Sequence, residues 1–292
     1  MNMDTSIFNG NRENLWCPGC GNFGILDAMK EAFTRQGLIP KDLLLVPGIG
    51  QSGKTAHYLE SNLLHGLHGR ALALATGAKI ANHDLQVVVN AGDGDCYGEG
   101  GNHFLAAIRR NLDITLLVHD NQVYGLTKGQ ASPTTPLNRE VKLAPQGVAS
   151  QPFNPLATAL VNGAGFVARC YSGSKSQLVD LISAAMSYRG FALVDIFQPC
   201  VSFNKVNTHQ WYRERVLDLA ETDHDPTNFD QALALALGTH DMGESQGEKL
   251  PTGVYYAVPG IPHHDRLNAL KKQPLLGYDF DEEMINGMLA RI

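Results

Sequence analysis

The most informative chemistry in the chain sits at two positions far apart. Gly92, Asp93, Gly94 and Asp95 directly follow the aliphatic run Leu85 to Ala91, and 28 positions after Asp93 comes Asn121, directly after a second run, Ile114 to His119. If both runs are parallel strands of one sheet, their carboxyl ends share the edge at which open α/β sheets bind ligands, and Asp93 and Asn121 converge there. A carboxylate and an amide oxygen are hard ligands suited to magnesium, which also keeps phosphate oxygens in its shell. The pair therefore reads as a diphosphate site. Either half alone would read as an ordinary turn, because glycine, aspartate and asparagine all favour turns; the pairing carries the signal.

Two further constellations leave alternatives open. Gly48 to Thr55 (GIGQSGKT) follows the run Asp42 to Val46 and satisfies the phosphate-loop pattern G-x-x-x-x-G-K-[ST]. In a P-loop nucleotide hydrolase, backbone N–H groups would wrap the phosphates, Lys54 would neutralise charge and Thr55 would hold magnesium. The run Phe191 to Asp195 would then serve as its second magnesium motif. The competing reading is a glycine turn after a strand, which tight α/β geometry requires. Cys17-Pro18-Gly19-Cys20, with Cys200 far downstream, can hold zinc or an iron–sulfur cluster, or form a redox disulfide. No strand precedes Cys17, which disfavours the disulfide and leaves zinc and cluster open. Cys96 and Cys170 read as small buried hydrophobes. His65 and His68 stand at i, i+3 with no carboxylate at ligand spacing, and His263 and His264 read as surface residues.

These groups need a rigid frame, and the composition supports one. The 292 residues are 43% hydrophobic and 18% charged, enough for a large core. Net charge is 23 basic minus 29 acidic residues, or −6, which argues against a nucleic-acid partner. No run of about 18 apolar residues exists, so no membrane span is expected. The polar start Met1 to Asn14 lacks a signal-peptide core, and five cysteines are too few and odd in number for a disulfide scaffold; the expected compartment is cytoplasmic. The three aliphatic runs lack polar alternation, as strands buried on both faces do. Helical stretches Gly69 to Asn82 and Asn102 to Asn111 separate them, and Asn22 to Arg35 precedes them. Gly165 to Tyr171, Ser174 to Tyr188 and Phe191 to Phe197 repeat the strand, helix, strand order. Alternation of this kind predicts an α/β, doubly wound, mostly parallel sheet. Thr127 to Pro155, with five prolines, reads as a long functional loop. The tail is expected to hold a helix at Trp211 to Ala220. The expected division is an α/β domain over 1–204, carrying the cysteines, and an extension over 205–292 that packs on it or on a partner subunit.

The Asp93 and Asn121 pair matches the thiamine diphosphate motif, GDG with an asparagine about thirty residues on. Over essentially its full length the chain resembles the β subunit of a 2-oxoacid:ferredoxin oxidoreductase. The residues that carry this are WCPGCG (Trp16 to Gly21), GIGQSGKT, HGLHGRA (His65 to Ala71), GDGDCYGEGGNH (Gly92 to His103), DNQVYGLTKGQ (Asp120 to Gln130) and QPC ending at Cys200. GGNHF and YGLTKGQ with the following SPTT are most similar to the 2-oxoglutarate branch. The resemblance implies the thiamine diphosphate-binding type of doubly wound fold, with magnesium held by Asp93, Asn121 and the Val123 carbonyl. Gly94, Asp95, Gly125 and Leu126 would surround the cofactor, Ile49, Gly50, Ser52 and His68 would line its other side, and Lys54 would meet the substrate carboxylate.

By the same resemblance Cys17, Cys20 and Cys200 would ligate a 4Fe-4S cluster. The family's remaining cysteine falls in the glycine turn, where this chain has Gln51, a poor ligand for iron in a sulfide cluster. The implied reaction is coenzyme A-dependent oxidative decarboxylation of a 2-oxoacid, or its reverse, with electrons passed to ferredoxin. The implied assembly is αβ or (αβ)2, with the cofactor-activating glutamate on the α subunit, so that the β subunit alone is inactive. A thiamine diphosphate-dependent non-oxidative decarboxylase subunit is the alternative that Gln51 raises.

Overall fold

The structure, a computed structural model, describes residues 4–238, 249–278 and 282–290; the parts of the expected extension at 239–248, 279–281 and 291–292 lie outside them. In chain order the helices are α1 (Asn22–Arg35), α2 (Thr55–Tyr58), α3 (Ala71–Ala81), α4 (Gly101–Arg110), α5 (Pro155–Val161), α6 (Lys175–Ser187), α7 (His209–Arg215), α8 (Phe229–Gly238) and α9 (Glu282–Leu289). The strands are β1 (Leu43–Pro47), β2 (Asn62–Leu63), β3 (Gln86–Gly92), β4 (Ile114–Asp120), β5 (Val123–Tyr124), β6 (Gln130–Ala131), β7 (Phe166–Tyr171), β8 (Phe191–Phe197), β9 (Val216–Asp218) and β10 (Leu250–Ala257).

Eight strands form one sheet in the order β2-β1-β3-β4-β8-β7-β10-β9. All neighbours are parallel except β7 and β10, so the doubly wound, mostly parallel reading holds. Every residue of β4 and β8 is buried, which is why their sequences carry no polar alternation. Two apolar layers result. Phe104, Ala107 and Ile108 of α4 join α3 and α5 on one face, while Ile25, Met29 and Phe33 of α1 meet Leu178, Ile182 and Ala185 of α6 on the other.

The parallel register puts the carboxyl ends of β1, β3, β4 and β8 on one edge. Gly92 lies opposite His119 and Asp120 opposite Phe197, so the segments beginning at Gly48, Asp93, Asn121 and Gln198 emerge side by side. His119 fastens this edge from beneath. Burial pushes its imidazole down to about 3; the one N–H of the neutral ring meets Asn90 Oδ1 at 2.6 Å, because Asn90 Nδ2 is committed to Ser52 and Thr55, and Nδ1 lies 2.7 Å from the Asn22 side-chain amide. It thereby ties α1 and β3 to β4.

The tail departs from expectation. The helix expected over Trp211 to Ala220 stops at Arg215, and Val216–Asp218 instead runs parallel to β10, with Val216 opposite Leu250. Backbone pairing with a strand more than thirty residues later in the chain overrides local helical preference. Strand β10 in turn pairs antiparallel with β7, so residues beyond 205 extend the main sheet. The expected loop over Thr127 to Pro155 supplies one strand of a short hairpin, in which Ala131 and Gln130 pair with Val123 and Tyr124 just before the loop. His264 is buried and stacks on His83 at 4.7 Å, not on the surface as its proline-rich context suggests.

One buried ion pair stiffens the sheet centre. Arg169 Nε donates to Asp195 Oδ1 at 3.0 Å, Tyr97 Oη donates to Asp195 Oδ2 at 2.7 Å, and both charged side chains are essentially solvent-free. Asp195 is thus consumed inside the sheet and is not a magnesium residue of a nucleotide hydrolase. Removing Arg169 would leave that charge uncompensated. Arg169→Met is expected to lower unfolding free energy by about 3–5 kcal/mol, read as a lower urea midpoint at unchanged slope; a change below about 1 kcal/mol would show that the pair does not bear on stability.

Candidate active site

The glycine turn after β1 is shaped by close approach. A Cβ on Gly48 would lie 2.2 Å from Asp95 Oδ2, one on Gly53 would lie 2.1 Å from the Gly48 carbonyl, and Gly50 has φ +118°. The turn opens only a 3-10 segment, Ser52–Lys54, and the four residues of α2. Thr55 is fully buried, with its hydroxyl accepting from Asn90 Nδ2 at 3.2 Å. A hydroxyl so placed cannot hold magnesium, which removes the P-loop reading of Gly48 to Thr55.

At the tip of β3, Asp93 is 1% exposed. Burial pushes its carboxyl up to about 6, with the nearby Asp195 charge adding to the effect. Among the described residues no Lys, Arg or His pairs with it. Its Oδ2 accepts from Thr134 Oγ1 at 2.6 Å, and the same hydroxyl lies 2.7 Å from Asp120 Oδ1. A buried carboxylate with neutral donors and no cation is a site prepared for one.

Asn121, at the neighbouring tip, has an amide fixed at both ends. Its Oδ1 accepts the Val123 N–H at 3.0 Å and its Nδ2 donates to Gln198 Oε1 at 3.0 Å. The backbone at Gln122 adopts φ +61°, and beyond this turn Tyr124 reaches the segment after β3, its Oη donating to the Gly94 carbonyl at 3.2 Å. A Cβ on Gly94 would meet the Tyr124 ring at 2.4 Å, so glycine is required where the two tips touch. Asp95 is nearly buried, which raises its carboxyl; it accepts the Gly69 N–H at 2.8 Å and lies 3.3 Å from His68 Nδ1.

One cleft collects these groups. Ile49, Gly50, Ser52 and His68 line it together with Asp93, Gly94 and Asp95 and with Asn121, Val123, Gly125 and Leu126. Of the residues singled out around the diphosphate, only Lys54 is not part of its wall. A second cleft adjoins it and shares Gln51, Asn121 and Gly125; Cys17, Cys20 and Cys200 line it. Burial, with a smaller contribution from the other two sulfurs, pushes the Cys20 thiol up to about 11. Trp16 Nε1 donates to the Gln51 carbonyl at 2.8 Å, locking the glycine turn against the cysteine loop. Cys96 and Cys170 are buried elsewhere, so no fourth thiol reaches this cleft.

The donor sets match different guests. Oxygen donors around Asp93 suit magnesium. Among the described residues no three His, Cys, Asp or Glu side chains gather around a single ion, which does not suit tetrahedral zinc. An iron–sulfur cluster is larger than one ion and accepts thiolates set further apart. Thr134 and Gln198, both in contact with the key side chains, escaped the sequence reading. Their only signal was position, in SPTT and two residues before Cys200.

The fold and the cleft define a thiamine diphosphate-binding domain. Residues 48–196 match the family model of the thiamine pyrophosphate enzyme C-terminal TPP-binding domain, and residues 200–272 match the model of the C-terminal region of the pyruvate ferredoxin oxidoreductase β subunit. The chain is 44% identical over 250 residues to 2-oxoacid:ferredoxin oxidoreductase 1, subunit beta, of Aeropyrum pernix, covering 84% of this chain and 78% of that one. It is 40% identical over 280 residues to the corresponding β subunit of a Sulfolobus species, covering 93% and 91%. The 2-oxoglutarate:ferredoxin oxidoreductase from Magnetococcus marinus, solved with 2-oxoglutarate, coenzyme A and succinyl-CoA bound, superposes with a TM-score of 0.88 at 36% identity over 98% of this chain and 96% of that one. The chain belongs to the β subunits of the 2-oxoacid:ferredoxin oxidoreductases. No helix among the described residues is long and apolar enough to cross a membrane.

Gly48→Ala tests the cleft's close approach. The added methyl must displace the buried Asp95, at a cost of about 1–3 kcal/mol, and weaken thiamine diphosphate binding measured calorimetrically. Unchanged affinity and melting temperature would show that the Gly48 to Asp95 contact is not tight.

Proposed function

We propose that this chain, with an α partner, catalyses coenzyme A-dependent oxidative decarboxylation of 2-oxoglutarate and its reverse, passing electrons to ferredoxin. The observation that carries the reading is the buried carboxylate of Asp93, paired with no cationic side chain among the described residues, lining one cleft with Asn121 at the sheet edge beside a cleft of three thiols. The choice of 2-oxoglutarate rests on GGNHF, on YGLTKGQ with SPTT, and on the likeness to the Magnetococcus enzyme.

In this reading Asp93, Asn121 and the Val123 carbonyl hold magnesium, and Ile49, Gly50, Ser52, His68, Gly94, Asp95, Gly125 and Leu126 enclose the cofactor. When bound, thiamine diphosphate supplies the carbanion-stabilising chemistry that lets a 2-oxoacid lose carbon dioxide. Lys54, outside the cleft wall, reaches the substrate carboxylate only across space that the partner helps to shape. Cys17, Cys20 and Cys200 hold a 4Fe-4S cluster, leaving one iron to Gln51 or a non-protein ligand. Five free cysteines suit a reducing cytoplasm.

In this reading the carboxylate that activates the aminopyrimidine comes from the α subunit. Purified αβ complex is expected to reduce ferredoxin with 2-oxoglutarate and coenzyme A, faster than with pyruvate, while the β subunit alone falls by at least about 100-fold. Full activity of the β subunit alone would overturn this assignment. Iron and acid-labile sulfide analysis is expected to give about four of each per chain in anaerobically purified protein. Gln51→Cys should slow bleaching in air. Colourless protein that still decarboxylates, and tolerates Cys17→Ser, would replace the reading with the non-oxidative decarboxylase.

A further inference from the structure

Gln198 leaves the tip of β8 and is 2% exposed. Its backbone N–H donates to the Asp120 carbonyl at 2.8 Å, fastening it beside the tip of β4. Every polar position of its side chain is used. Oε1 accepts from Asn121 Nδ2 at 3.0 Å, while Nε2 donates to the Pro199 carbonyl at 2.7 Å and to Cys20 Sγ at 3.4 Å.

Those bonds fix the direction of the amide. Asn121 cannot flip, because its Oδ1 receives the Val123 N–H. Gln198 therefore cannot flip either, since that would set one amide NH2 against another and turn an oxygen lone pair toward sulfur. A two-bond chain, Asn121 to Gln198 to Cys20, thus joins the diphosphate cleft to the thiol cleft. The other thiolate contact of this kind differs: Ser202 Oγ donates to Cys17 Sγ at 3.1 Å and has no link to Asn121.

We infer that Gln198 is a positioning residue that couples the two sites, orienting the Asn121 amide for magnesium while tuning the Cys20 sulfur with a hydrogen bond. This rests on the proposed roles of Asn121 and Cys20. An N–H bonded to a ligating sulfur stabilises the more negative, reduced state and raises its potential, and partners of ligands tune metal affinity about 10–100-fold. Linkage makes the effect reciprocal: magnesium with thiamine diphosphate shifts the reduction equilibrium, and reduction shifts cofactor affinity by the same factor.

The test is a redox titration of the iron–sulfur signal in the αβ complex, with and without thiamine diphosphate and magnesium, beside cofactor affinity in each redox state. Wild type is expected to show a cofactor-dependent shift. Gln198→Met should lower the reduction equilibrium constant about tenfold, about 59 mV for one electron, weaken cofactor binding about tenfold and abolish the shift. Gln198→Glu, which keeps an acceptor for Asn121, guards against simple loss of packing and should lower the potential while retaining more of the affinity. Ser202→Ala should lower the potential and preserve the shift. An intact cluster whose potential and cofactor response are unchanged in both Gln198 variants overturns this inference alone. No iron–sulfur signal in wild type overturns the underlying reading and this inference with it.

Discussion

The site depends on one unneutralised charge. Asp93 is held almost free of solvent at the end of β3, and the described residues around it supply neutral donors such as the Thr134 hydroxyl but no cationic side chain. Leaving a carboxylate in that state is costly unless a cation shares it. The fold tolerates it because burial raises the carboxyl toward its neutral form. The position is weak as a source of stability and well suited to a divalent ion that arrives with phosphate oxygens.

The rest of the architecture keeps that point in register. Parallel pairing sets four strand tips on one edge, and tight contacts at Gly48, Gly53 and Gly94 draw the connecting turns over it. Neutral His119 fastens the tips from below and Trp16 clamps the glycine turn from the side. The same clamp sets the cysteine loop against Gln51. The two clefts are therefore neighbours by construction, sharing Gln51, Asn121 and Gly125, and the cleft of Asp93 and Asn121 lies next to a set of three thiols.

Much of this was legible from sequence where the determinant is local. The stripe in Asn22 to Arg35 marks α1 to the residue, and uninterrupted aliphatic runs mark β3, β4 and β8 within a residue or two. The meeting of Asp93 and Asn121 in one cleft was legible because a strand followed by GDG, and a strand followed by Asn, leave little freedom about where their side chains end. What failed depends on distant partners. Val216–Asp218 is a strand only because β10 lies beside it, and the buried His264 stacks on the ring of His83, far away in sequence. Thr134 and Gln198 lie within SPTT and QPC, but neither segment points to a role for them; each touches two groups brought together by the sheet.

The central claim, that the tips of β3 and β4 share one metal ion, is tested most directly by a double-mutant cycle on magnesium-dependent thiamine diphosphate affinity, using Asp93→Asn and Asn121→Ala in the assembled complex. Shared coordination predicts strong non-additivity, with the double variant losing little beyond the worse single variant and a coupling energy above about 1 kcal/mol. Losses that simply add would contradict it, because two side chains on one ion cannot act independently.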